Sequence, residues 1–239
     1  MWRLSSSVAA EKSSPVSDKI LILGGTKEAS ELAKTLVLQG HEVTTSLAGR
    51  TREPKPVAGK TRIGGFGGAE KLAKWIADNT ITRVIDATHP FATRISENAE
   101  IACKIANLPL QKQTRQPWRA EPEDTWLEVQ NLEQAAQQIP ANARVLLALG
   151  SQHLSAFSTR NDVHFVVRMV DAPSAPLNLS DHQLIRGLPS PDWQQEAELL
   201  KKHAISHILC RNSGGTGAYA KIVAARELAI PVIIIKMPQ

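Results

Sequence analysis

Short apolar runs alternate with amphipathic helical stripes along most of this chain, and few architectures accept that order. The run Lys-Ile-Leu-Ile-Leu at 19–23 is apolar on both faces of an extended segment, as a strand covered on both sides must be. After Gly24-Gly25-Thr26, apolar residues recur at Ala29, Leu32, Ala33, Leu36 and Val37 and stop at Gly40. That is the spacing of one helix face, closed by a C-terminal glycine. The alternation continues with strands at 42–45, at 84–86 and from 108. The helices between them turn Leu72, Ala73 and Ile76, then Ile95, Ala99, Ala102, Cys103 and Ala106, inward. Strands alternating with helices build βαβ units, and therefore parallel sheet.

A polar stretch at 116–124, with Pro117 and Pro122, marks a junction, after which the pattern restarts. Strands are expected at 126–129, 144–149, 165–170, 207–210 and 231–235, and helices at 132–139, 196–203 and 219–228. The fold class predicted is α/β: two Rossmann-like domains with mainly parallel sheets and an inter-domain cleft. The divisions are a disordered N-terminal extension at 1–17, a first Rossmann-like domain at 18–115, expected to hold a dinucleotide cofactor as that fold commonly does, and a second, substrate/cofactor domain at 116–239. No internal repeat is visible.

Composition narrows the function. With 239 residues, 42% of them apolar and 4% aromatic, the chain can bury an aliphatic core of the kind parallel sheets prefer. Its net charge of +5 comes from dispersed Lys and Arg, which fits either a solvated basic surface or a groove for a polyanionic small molecule. There is no basic and aromatic interleaving of the kind that binds nucleic acid. No apolar stretch is long enough to span a membrane, and the Ser-rich N-terminus has no signal-peptide core. Cys103 and Cys210 stand alone in apolar surroundings, outside any metal-binding spacing. They predict reduced thiols, a cytoplasmic location and no metal.

Five clusters carry candidate chemistry. Gly24-Gly25-Thr26 joins the first strand to its helix, either as a tight turn or as a backbone cradle for a phosphate. At the end of the second strand, Ser46, Arg50 and Thr51 stand where an acidic residue would select NADH. A cationic and hydroxylic set suits the 2′-phosphate of NADPH, the alternative being that Arg50 is a solvated loop residue. The run 64–68, with Gly65, Phe66 and Gly67 at its centre, is either a second cradle with an aromatic cover or a packing device. The segment 84–92 leaves a strand end with Asp86, then Thr88, His89, Pro90 and Phe91. Beside the glycine turns, the last four suit one wall of a nicotinamide pocket, the alternatives being that His89 is only a hydrogen-bonding loop residue and that Asp86 only caps a neighbouring loop or helix. In the second half, Asn212, Ser213, Gly214 and Gly215 precede a helix carrying Tyr219 and Lys221. This group suits a carboxylate or phosphate of the substrate, or is only a helix cap with a surface lysine. His89, Tyr219 and Lys221 are the candidate proton donors, with solvent an equal rival.

These motifs taken together resemble the precorrin-6A and cobalt-precorrin-6A reductase family of cobalamin biosynthesis. The resemblance runs from about residue 20 to 238. It rests on ILGGTKEASELA from Ile22, SLAGRT from Ser46, GGFGG from Gly64, IDATHPFA from Ile85, Arg115-Gln116-Pro117-Trp118, and NSGGTGAYAKIVAAREL from Asn212. Departures are Arg211 where the family has Lys, Leu188-Pro189 in place of Pro-Phe, and Lys236-Met237-Pro238 in place of a closing Arg-Pro pair. The resemblance implies NADPH-dependent reduction of the C18=C19 bond of precorrin-6A to give precorrin-6B. The substrate is a polycarboxylate tetrapyrrole, and contacts with neighbouring pathway enzymes are compatible with it. The alternatives are the cobalt-containing substrate of the anaerobic route, and a non-catalytic NADP-binding protein.

Overall fold

The computed structural model of the chain describes residues 17–49, 55–173 and 175–238. Two sheets account for all the described strands. The first comprises β1 (Lys19–Leu23), β2 (Glu42–Leu47), β3 (Lys60–Ile63), β4 (Arg83–Asp86) and β5 (Leu110–Lys112) in the order β3-β2-β1-β4-β5. The second comprises β6 (Trp126–Val129), β7 (Arg144–Ala148), β8 (His164–Met169), β9 (His182–Arg186), β10 (His207–Arg211) and β11 (Val232–Ile235) in the order β6-β11-β10-β7-β8-β9. Each neighbouring pair is parallel.

Helices cover both faces of each sheet, which is why the central strands can be apolar throughout. In β1, Ile20 and Ile22 face α1 (Lys27–Leu38), while Leu21 and Leu23 face α2 (Ala69–Asp78) and α3 (Thr93–Ile105). In the second sheet, Val145 and Leu147 point to the side of α4 (Leu132–Gln138). Leu146, Ile208 and Cys210 point to α5 (Trp193–Lys202) and α6 (Ala220–Glu227). Side-chain oxygens of Thr26, Asn131 and Asp192 cap α1, α4 and α5 by accepting backbone N–H bonds.

Two strands, β3 and β9, lie outside the alternation read from the sequence. Both are sheet edges and largely exposed, with the sequences KTRI and HQLIR. An edge strand has less apolar surface to bury and commonly carries charge, so it gives no apolar run to recognise. At the other end of the chain, the expected extension at 1–17 lies outside the described residues except for Ser17, whose hydroxyl donates to the Gly40 carbonyl at 2.8 Å.

The polar stretch after residue 115 is more than a connection. Trp118 is buried in the core beneath α5 and α6. Its backbone N–H donates to Asn212 Oδ1 at 2.8 Å, and its carbonyl accepts from Asn212 Nδ2 at 2.9 Å. The indole Nε1–H donates to the Gly215 carbonyl at 2.7 Å.

One charged pair sits inside the second core. Arg168 Nη1 donates to both oxygens of Glu196 at 3.0 and 2.8 Å, and the Ser190 N–H adds a bond to Oε1 at 2.8 Å. Removing one partner of such a pair strands the other charge away from water. We expect Glu196→Ala to cost about 3–5 kcal/mol of stability, measured by urea unfolding. Lys74→Ala, which breaks the exposed pair with Asp78, should change stability by less than about 1 kcal/mol.

Candidate functional site

In the first sheet the chain leaves β1 to one side through β2 and β3, then returns to the other side at β4. The carboxyl ends of β1 and β4 therefore flank a topological switch point, the crevice in which open α/β sheets bind ligands. Both ends carry the motifs read from the sequence. A side chain at Gly24 would come within 2.8 Å of the Thr45 methyl group, so close packing against β2 requires glycine there. Gly25 has φ +106° and open space on its side-chain face. Thr26 caps α1 by accepting from the Ala29 N–H at 3.1 Å, and its hydroxyl donates to the Ala87 carbonyl at 2.9 Å. Thr26 thus ties the two strand ends together beside an open glycine at a helix N-terminus, an arrangement that fits a phosphate.

Across the crevice, the buried Asp86 is occupied with its own loop. Its Oδ1 accepts from the Thr88 N–H at 3.1 Å and the Thr88 hydroxyl at 2.7 Å. That turn presents His89, whose Nδ1 accepts from the Phe91 N–H at 3.3 Å. This bond assigns the neutral tautomer with its proton on Nε2. Burial pushes the His89 pKa down to about 4, and the positive charges of Arg115, Arg211 and Lys221 push the same way against a smaller opposing effect of Glu28. His89 is therefore a neutral hydrogen-bond donor near pH 7, not an imidazolium acid.

The glycine run after β3 is held by a residue the sequence reading passed over. Arg62 Nη1 donates to the Gly64 carbonyl and, at 3.4 Å, to the Ser46 hydroxyl, while Nη2 donates to the Gly65 carbonyl at 2.9 Å. Its guanidinium lies 3.8 Å from the centre of the Phe66 ring, and Phe66 meets Trp75 edge-on at 5.6 Å. Ser46 is buried at the end of β2, and its carbonyl accepts from the Gly24 N–H at 2.9 Å. The other two members of the expected 2′-phosphate set, Arg50 and Thr51, lie outside the described residues.

The second sheet has its own switch point, between β7 and β10, and the two carboxyl edges meet. Phe91 packs against the core on the α4 side of the second sheet, and Arg211 lies over its ring at 4.7 Å. Arg115 bridges Glu28, in the first turn of α1, to the Ser213 carbonyl. A side chain at Gly214 would fall 2.4 Å from the Gln116 carbonyl oxygen, and one at Gly215 3.1 Å from Glu28 Oε1. Both glycines are in the left-handed region. This glycine pair therefore makes room for the crossing segment.

Several residues expected to meet the ligand make bonds within this framework. Both polar groups of the Asn212 side chain are used by Trp118. The Ser213 hydroxyl donates to the Arg211 carbonyl at 3.2 Å. Lys221, expected near the substrate or as a proton donor, is 3% exposed. Its ammonium donates to the Ala218 carbonyl at 2.6 Å and lies 4.9 Å from the Trp118 ring. Burial lowers its pKa from that of an ordinary lysine. The Tyr219 hydroxyl donates to Glu121 and accepts from Arg226, each at 3.1 Å. Cys103 and Cys210 are buried, and burial raises both thiol pKa values, which suits inert thiols. Among the described residues no His, Cys, Asp and Glu group could hold a metal, and no helix is long and apolar enough to cross a membrane.

The lowered pKa of His89 has a consequence for stability. The unfolded chain takes up this proton near pH 6.5 and the folded chain only near 4. Stability is therefore full above pH 6.5 and falls as the pH drops towards 4. The loss attributable to His89 is up to about 3 kcal/mol. Urea midpoints measured from pH 7 to pH 4 should fall less steeply for His89→Gln than for the native chain.

Comparison with known proteins agrees with this geometry. The family model described as Precorrin-6x reductase CbiJ/CobK matches residues 19–239. The precorrin-6A reductase of Rhodobacter capsulatus is 45% identical over 221 residues, covering 92% of this chain and 88% of that protein. The precorrin-6A reductase of a Sinorhizobium species is 42% identical over 220 residues, covering 91% and 84%. The solved structure titled CobK precorrin-6A reductase superposes with a TM-score of 0.89 at 45% identity, covering 93% of this chain and 89% of that one. With almost the whole chain matched in sequence and in fold, this protein belongs to the precorrin-6x reductase CbiJ/CobK family of oxidoreductases.

Proposed function

We propose that this protein reduces the C18=C19 double bond of precorrin-6A with NADPH, giving precorrin-6B. The observation that carries the reading is the pairing of an open glycine turn with the loop that holds His89 and Phe91, on the two sides of one switch point. Gly24, Gly25 and Thr26 would hold the pyrophosphate. Ser46 with Arg50 and Thr51 would face the adenosine 2′-phosphate, which favours NADPH over NADH. Gly65, Phe66 and Gly67, with Thr88, His89, Pro90 and Phe91, would line the rest of the cofactor. The division of the chain near residue 115 follows the same roles: cofactor on the first sheet, substrate on the second.

A reduced nicotinamide supplies the hydride for such a C=C bond; the chain's own work is placement. His89, neutral and turned by the Phe91 N–H, shapes the pocket with its Nε2–H as a donor. Thr88 is fixed by Asp86, and Phe91 is clasped by Arg211, so the wall is rigid. Gly214 and Gly215 bring the second sheet to the same crevice, where the backbone N–H groups of this loop would meet substrate carboxylates. Because Tyr219 and Lys221 are engaged elsewhere, we assign the proton at the neighbouring carbon to solvent. Relatives at 42–45% identity are called precorrin-6A reductases, which favours the metal-free substrate.

The test is anaerobic oxidation of NADPH by the purified chain with precorrin-6A and, separately, with cobalt-precorrin-6A. We expect faster turnover of the metal-free macrocycle and the mass of precorrin-6B as product. Preference for the cobalt form would move the protein to the other route. NADPH binding without oxidation by either substrate would make it a carrier. His89→Ala should weaken NADPH binding; unchanged affinity with lost turnover would return His89 to the role of proton donor.

A further inference from the structure

We propose that Arg62 selects the cofactor, its guanidinium serving as a docking point for the 2′-phosphate of NADPH. The inference rests on the NADPH reading above and names for it a residue outside SLAGRT. Position comes first. Ser46 and Arg62 are register partners on the neighbouring parallel strands β2 and β3, so both stand at the carboxyl edge and on the same face. Ser46 is in turn the register partner of Leu23, the last residue of β1 before the glycine turn. A dinucleotide bound at that turn runs across the carboxyl end of β2, where the group that distinguishes a free 2′-hydroxyl from a 2′-phosphate is read.

Charge is the second observation. Arg83, Arg115, Arg160, Arg168 and Arg226 each lie within 4.0 Å of a carboxylate. Among the described residues Arg62, like Arg94, Arg119, Arg144 and Arg186, has no such partner, and of these it is the one at the carboxyl end of β3 beside Ser46. It bonds two carbonyls and a hydroxyl, which orient a guanidinium without neutralising it. A fixed positive charge at the adenosine end of a nucleotide site is suited to a dianion.

Preorganisation is the third. The guanidinium carbon lies over the Phe66 ring, 3.8 Å from its centre, and Phe66 is braced by Trp75. The three hydrogen bonds leave two of the five N–H donors of an arginine for a ligand. Gly64 and Gly65 have open space where side chains would stand, so nothing built on the loop covers the approach. A lysine would supply charge without the stacked, forked plane.

The experiment is calorimetric titration of the full-length chain with adenosine 2′,5′-bisphosphate and with 5′-AMP, alongside kcat/KM for NADPH and NADH. In Arg62→Gln, affinity for the bisphosphate should fall about 10- to 100-fold, the span expected for losing hydrogen bonds to a charged group. AMP affinity should hardly move, and the NADPH:NADH ratio should fall with the bisphosphate. Arg62→Lys should recover part of the discrimination, which collapse of the glycine loop alone would not allow; it also carries the test if Arg62→Gln does not fold. Equal loss of both ligands or unchanged discrimination in Arg62→Gln would each overturn the proposal. A native chain that binds AMP as tightly as the bisphosphate would overturn the NADPH reading itself.

Discussion

The two-sheet arrangement depends on how the segment 115–118 is held as it passes from one sheet to the other. Asn212 grips Trp118 by both its N–H and its carbonyl, and the Trp118 indole reaches on to Gly215. A buried main chain without these partners would leave polar groups unsatisfied, at about 1–3 kcal/mol each. Gly214 and Gly215 allow the close approach, because any side chain there would strike Gln116 or crowd Glu28. Arg115 then joins α1 of the first sheet to the loop after β10 of the second. Lys221, beneath Trp118, supports the same point from the core. The motif at 212–215 that looks like an anion cradle in sequence thus also sets one carboxyl edge against the other.

That meeting of edges explains the electrostatics of the crevice. His89 is placed where Arg115, Arg211 and Lys221 all act on it, and it stays neutral because a further positive charge in a partly buried position is unfavourable. Asp86 holds its own loop, its Oδ1 accepting from the N–H and the hydroxyl of Thr88. Within IDATHPFA, Asp86 and the Thr88 hydroxyl hold the loop together, and His89 accepts from the Phe91 N–H. Such a site suits chemistry supplied by a bound cofactor, for which the protein must orient and shield more than react.

Much of this was legible in the residue pattern. The central strands could be read because parallel strands covered on both faces are apolar runs, as at 19–23 and 144–148, and because their helices repeat apolar residues at the 3.6 period. The polar edge strands at 60–63 and 182–186 could not, since exposure removes the apolar signal. Missing β3 also hid Arg62: without a strand ending at 63, nothing placed that arginine beside Ser46, 16 residues earlier. The glycine at 24 was legible as a turn, but its reason, contact with Thr45 on the next strand, is a property of the sheet.

The sequence by itself determined the fold class, the family and the ends of strands that carry the motifs, because periodicity and local turn chemistry are encoded over short distances. Only the tertiary structure decided which polar groups are free to act. Asn212, Tyr219 and Lys221 have the chemistry of ligand or proton-transfer residues, yet Trp118, Glu121, Arg226 and Ala218 use that capacity. Of these four partners, Trp118 and Glu121 lie more than 90 residues away in sequence. A side chain's hydrogen-bonding capacity is finite, and which partner takes it depends on distances that close only when the sheets have packed.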